Sequence, residues 1–164
     1  MRMSDIHERQ SVRAVTSRGP LQEAWASIFR IVVGLNWLYY ASQKWQGVGW
    51  MHSLIISTAK ANPIPGLHDF LVQVAVPNWF LFGVAQGAGE TVAAVLLILG
   101  LGTRWAAILG LLLAINLALT VAFAADPGFR FLYYLAVLVN GQVIVSGPGP
   151  YALSRLSWVP AFLR

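Results

Sequence analysis

The chain has 164 residues, of which 57% are hydrophobic and 10% charged, with 11 lysines and arginines, 6 aspartates and glutamates, and no cysteine. A water-soluble domain of this length needs about a quarter of its residues charged to cover its surface, so a soluble globule is excluded and one membrane-embedded domain is expected. The basic surplus gathers at the polar end and between apolar runs, which argues against nucleic acid as a partner. Without cysteine there is no disulfide, thiolate nucleophile, Cys-ligated zinc or iron–sulfur cluster.

Residues 1–23 form a polar tail, too long and too mixed in charge for the basic region of a signal peptide. Four apolar runs follow, at about 24–44, 78–101, 105–124 and 129–145. Each approaches the roughly 20 residues that cross about 30 Å of hydrocarbon. Between the first two lies an outer connection, 45–77, containing NPIPG; its stretch WMHSLIISTAK is expected to form a short helix on the membrane surface. GLGTRW (100–105) is short enough to force a hairpin between antiparallel helices. ADPGFR (125–130) ends the third run, and SGPGPY (146–151) ends the fourth, leaving a tail at 148–164. The expected fold is therefore all-α: an antiparallel bundle of four transmembrane helices over 24–147.

Orientation follows from the basic residues. Four spans put both termini on one side, with Arg2, Arg9, Arg13, Arg18, Arg104, Arg155 and Arg164, against Lys44, Lys60 and Arg130 on the other. Both termini are thus expected in the cytoplasm. Tryptophans fall near both boundaries, as in aromatic belts.

One residue breaks the apolar text: Glu90, inside GVAQGAGETVAAVLLILG. An ionisable group in a span is a functional candidate by default because it is expensive to hold there. Counting helical rise from the inner ends puts Glu90, Asn36 and Asn116 at about 16–18 Å depth, with Tyr40, Gln86 and Thr120 one turn outward. Arg30 and Asn140 fall about two turns inward. Equal depths on separate helices point to a shared interior layer. Gly83, Gly87, Glu90 and Ala94 also form a small-residue stripe suited to close helix packing. Gln86, one turn from Glu90, is placed to donate a hydrogen bond to it.

The residues leave two readings of Glu90 open. In one it is a neutral acid, or an ion pair with Arg30, that holds the bundle together. In the other it carries a proton or binds a quinone head. Lys44 ends a span, where snorkelling alone explains a lysine. Asn36, Asn116 and Asn140 bridge helices on the plainer reading, and Tyr133 and Tyr134 belong to an interface belt. His7, His52 and His68 lie outside the spans and are too scattered for haem or a metal site.

RIVVGLNWLYYASQKW (30–45) resembles the first-helix signature of the DoxX/DoxD membrane proteins, through Arg30, Gly34 and Lys44. GETVAAVLLILGLGTRWAA (89–107) resembles their second signature, through Glu90, Gly100, Thr103 and Arg104, and VSGPGPYALSRL (145–156) their closing segment. Ala41 stands where the pattern expects glycine, and Ser154 where relatives often carry aspartate. The resemblance implies a four-helix protein of a bacterial or archaeal inner membrane, working as a quinone-facing or accessory subunit of a redox complex. In the DoxD-like branch that complex is a thiosulfate:quinone oxidoreductase. The expectation is a quinone-linked oxidoreductase subunit, with Glu90 and Arg30 catalytic and Asn36, Tyr40, Lys44, Gln86, Asn116 and Asn140 around the cofactor. Its expected partners are lipid and other redox subunits, with quinone the one cofactor and no haem, metal or cluster in this chain. The alternative is a non-catalytic scaffold that uses the Gly83/Gly87 stripe and the outer connection to bind a larger complex. A solute or proton-coupled carrier is a third option, disfavoured by small size and lack of repeat symmetry.

Overall fold

The computed structural model describes residues 20–47 and 49–160. The tail residues Arg2, His7, Arg9, Arg13 and Arg18, and the terminal Arg164, lie outside the described residues. Helix α1 spans Pro20–Trp45, α2 Gly49–Ala61 and α3 Pro65–Phe70, which runs on into one π-helical stretch at Leu71–Ala75. Helix α4 spans Trp79–Leu99, α5 Thr103–Leu119, α6 Val121–Ala124 and α7 Pro127–Ser146, followed by a 3-10 turn at Leu153–Arg155. Among the described residues there is no strand.

Among the described residues, three helices are long and apolar enough to cross a membrane: Trp79–Leu99, Thr103–Ala124 taken across the short break between α5 and α6, and Pro127–Ser146. Helix α1, at 26 residues, is the longest. Ser27, Arg30, Asn36 and its tryptophan and tyrosine rings dilute its apolar character, and it falls outside that set. The four long helices nevertheless pack on one another: α1 runs along α4, α4 pairs with α5, and α5 lies along α7. On α1 the buried positions Ser27, Arg30, Val33, Trp37, Ala41 and Lys44 recur at steps of three and four, so one face points inward.

The core joins Val33 and Trp37 of α1 to Ala94 and Leu97 of α4, Ala106, Ala107 and Ala114 of α5, and Val143 of α7. Alanines let the backbones close up, as in membrane helix packing. Gly34 marks a close approach of α1 to α4, since a Cβ there would lie 3.0 Å from Ile98 N and 3.1 Å from Ala94 O. The large residues Val32, Leu81, Val92, Leu112 and Leu138 point outward, the reverse of a soluble protein and suited to acyl chains.

The turns are built by local chemistry. Gly100, at φ 72°, ends α4, and its N–H bonds Leu96 O at 2.8 Å. Only glycine adopts that left-handed conformation without strain. At the other end of α5 the ladder breaks at Thr120, whose hydroxyl donates to Asn116 O at 2.6 Å in competition with the helix. The break frees Leu119 O, and the Asn62 side chain donates to it at 2.8 Å. Arg130 satisfies Ala122 O at 2.9 Å and lies over the Phe123 ring.

The connection expected as an outer loop is thus largely helical. Its α2 and α3 segments fold over α6 and the start of α4, around Ala59, Leu71 and Ala75. His68 Nδ1 bonds Ala59 O at 2.7 Å, and His52 stacks against Trp79 at 5.1 Å. Both histidines are held by structural contacts.

Candidate functional site

Glu90 is completely buried, on the face of α4 that also carries Gly83, Gly87, Ala94 and Leu97. Its partner is Lys44. The ammonium donates to Oε1 at 2.9 Å and to Oε2 at 2.7 Å, and the lysine side chain is only 9% exposed. Gln86 Nε2, one turn earlier on α4, donates to Oε1 at 2.9 Å. Three N–H donors therefore hold one carboxylate, an arrangement that favours its charged form being paired rather than bare.

Gly87 explains how Lys44 gets there. A Cβ on Gly87 would lie 3.4 Å from Lys44 Cδ and 3.5 Å from Lys44 Cβ, so the lysine stem runs across the bare glycine and reaches inward by about one turn. Beside it, Trp45 Nε1 donates to Thr91 Oγ1 at 2.9 Å, fixing the end of α1 against α4. Gly83 is occupied in the same manner by the sulfur of Met51 from α2. The stripe is thereby consumed within the chain, and a scaffold that docks through Gly83 and Gly87 loses that surface.

The polar contacts continue outward on the other side. Asn116 Nδ2 donates to Gln86 Oε1 at 3.4 Å, a long bond, and Asn116 is exposed. A chain thus runs from Lys44 on α1 through Glu90 and Gln86 on α4 to Asn116 on α5. Tyr40 is 43% exposed and lies within electrostatic range of the half-buried Tyr133 on α7.

Arg30 does not belong to this chain, and the expected Arg30–Glu90 pairing is corrected. The guanidinium donates to four backbone oxygens: from Nη1 to Leu97 O and, at 3.1 Å, to Ile98 O; from Nε to Pro148 O at 3.1 Å; and from Nη2 to Tyr151 O at 2.9 Å. Leu97 and Ile98 offer the unpaired carbonyls at the C-terminal end of α4, where the helix dipole favours a cation. Ser27, one turn before Arg30, accepts from Tyr151 N at 3.1 Å. The residues after α7 are therefore strapped across the end of the bundle where α1 begins and α4 ends. Depth counting fails because α1 starts at Pro20 and its register is set where Gly34 meets Ala94 and Ile98. That register puts Arg30 about three turns from Glu90, toward the C-terminal end of α4, rather than about two.

Two more expected members stand elsewhere. Asn140 is buried and accepts from Trp37 Nε1 at 3.2 Å while donating to Ala136 O at 2.8 Å. It bridges α1 and α7, and Gly110 of α5 provides the space, since a Cβ there would collide with its amide oxygen. Asn36 points away from the bundle, on the exposed face of α1. Trp37, not its neighbour, takes the inward position. The Lys44–Glu90 pair was open to sequence reasoning only as two isolated charges; the small residue at Gly87, which lets them meet, is the signal that links them.

A multi-helix chain with an apolar outer surface, three helices fit to span a bilayer and a buried ion pair between α1 and α4 defines an integral membrane protein. Comparison with family models gives a match to DoxX over residues 25–125, well over half the chain. The protein belongs to the DoxX family. Its curated-protein and solved-structure comparisons gave no significant match.

Proposed function

We propose that this protein is a membrane subunit of a quinone-linked redox complex, with α1 as a fourth span, both termini in the cytoplasm and the bundle in the inner membrane of a bacterial or archaeal cell. The observation that carries the reading is the buried Lys44–Glu90 pair, continued by Gln86 to the exposed Asn116. Charged groups of this kind in a span mark proton or ligand sites. The sequence count of basic residues, Arg2, Arg9, Arg13, Arg18, Arg104, Arg155 and Arg164 against Lys44, Lys60 and Arg130, supports the orientation.

A quinone head would need hydrogen-bond donors that the ion pair has not already consumed. Glu90 is fully occupied by Lys44 and Gln86, so it does not offer a carbonyl a proton in this arrangement. The groups free to donate are the second N–H of Asn116 and the Tyr40 hydroxyl. A bound quinone would supply two-electron redox chemistry. The chain's part is to orient the head through Asn116 and Tyr40, and to accept a proton at Glu90 once Lys44 or Gln86 swings away. Lys44 is the cation paired with Glu90, a role that Arg30 is too distant to fill.

A purely structural reading has one observation in its favour, the complete pairing of Glu90. The two readings part on a double variant. Glu90→Gln together with Lys44→Met removes both charges, so a role in holding the fold is spared while any proton step is lost. The intact complex carrying both changes should assemble normally and lose quinone reduction by at least tenfold. Unchanged turnover sinks the catalytic reading and leaves the scaffold.

A further inference from the structure

Asn36 sits near the middle of α1, on its outer face, and makes no hydrogen bond to any described residue. A primary amide facing hydrocarbon has two donors and an acceptor with no water to meet them. Its neighbours on that face are ordered. Trp25, Phe29, Val32, Asn36, Tyr39 and Gln43 follow steps of four, three, four, three and four, the spacing of a heptad seam. Trp25, Val32 and Tyr39 are 62%, 56% and 61% exposed, so the seam from Val32 onward has no partner among the described residues, whereas Phe29 also packs against the bundle core. A lone asparagine in such a seam is the residue that sets register and partner number in paired helices.

We propose that this seam is a self-association surface, packed against α1 of a second copy across a two-fold axis, with the two Asn36 carboxamides bonded to each other. Copies inserted with the same orientation present α1 in parallel, so residue 36 of each lies at the same depth. An isologous contact brings a residue to its own counterpart, and a carboxamide is both donor and acceptor, hence complementary to itself. A foreign helix meets this seam only if it also carries a polar group at this level; a second copy always does. The seam's period implies a left-handed crossing near 20°. The inference rests on α1 crossing the bilayer.

The absence of cysteine makes the test direct. In the full-length chain reconstituted into liposomes, Val32→Cys and Tyr39→Cys should form disulfide-linked dimers under mild oxidation. Leu38→Cys, exposed on the far edge of the helix, should remain monomeric. Energy transfer between terminally labelled copies should show Asn36→Leu weakening association roughly tenfold, with Asn36→Gln close to the parent. Cross-linking through position 38 in preference to 32, a parent protein that stays monomeric at every protein-to-lipid ratio, or Asn36→Leu copies associating as tightly as the parent would each overturn self-pairing. Labelling of Val32→Cys by a membrane-impermeant thiol reagent is read in parallel. Fast labelling removes the span assignment, whereas slow labelling without cross-links removes the dimer alone.

Discussion

Replacing Glu90 with Gln leaves Lys44 as an uncompensated cation in a side-chain environment only 9% exposed. Breaking a buried pair by removing one partner costs about 3–5 kcal/mol, because the remaining charge has lost both water and counter-ion. Lys44 loses two contacts, at 2.9 and 2.7 Å, and Gln offers one carbonyl oxygen in return, so the lower half of that range applies. Lys44→Met strands the carboxylate with Gln86 alone, or forces it to take up a proton. The double variant removes both charges together, and such replacements are often neutral or stabilising by about 1–4 kcal/mol. Thermal unfolding in mild detergent, followed by loss of the monodisperse species, should therefore rank the double variant close to the parent and both singles well below it. A Glu90→Gln protein as stable as the parent would refute the reasoning, since it would mean that the pair is either hydrated or not ionised. A double variant no better than the singles would refute it from the other side, by showing that no coupling links the two residues.

Arg30→Lys places one ammonium where a planar fork serves four carbonyls, and should loosen residues 148–151 by roughly 2 kcal/mol, read as faster proteolysis of the C-terminal segment. Gly110→Ala drives a methyl into the Asn140 amide and should lower stability by about 1–3 kcal/mol, measured by the same thermal assay; Asn140→Ala in addition should recover part of the loss. Asn62→Ala strands Leu119 O beside the break in α5, so amide exchange should accelerate at residues 119–124 and not in α4.

Element boundaries were legible because Gly and Pro punctuate the apolar runs. The hairpin at Gly100–Gly102, the stop after Ser146 and the end of the third run before Pro127 all fall where GLGTRW, SGPGPY and ADPGFR place them. Glu90, Gln86 and Asn116 are joined as their depths imply, since α4 and α5 are tied by a short hairpin that leaves little freedom of register. Across α1 and α4 the connection is long, and there depth counting had nothing to anchor it. That is why Lys44 rather than Arg30 meets Glu90. Asn36 and Trp37 are adjacent in sequence and differ by about 100° around the helix, so depth alone cannot say which one faces in. The four acceptors of Arg30 are backbone carbonyls, which leave no mark on residue identity. In the long connection, α2 falls where WMHSLIISTAK places a short helix, whereas α3 was hidden by the two prolines of NPIPG, which read as loop although Pro65 opens α3.

The fastening of Arg30 has an implication for how the molecule is made. A ribosome releases Arg30 before any of its four acceptors, and Leu97 and Ile98 precede residues 148–151, so for an interval the guanidinium has at most half of its eventual partners. Only the final stretch of polypeptide completes the cage around it. Chains cut short before Pro148 leave the guanidinium with the Leu97 and Ile98 carbonyls alone, at the end of α4.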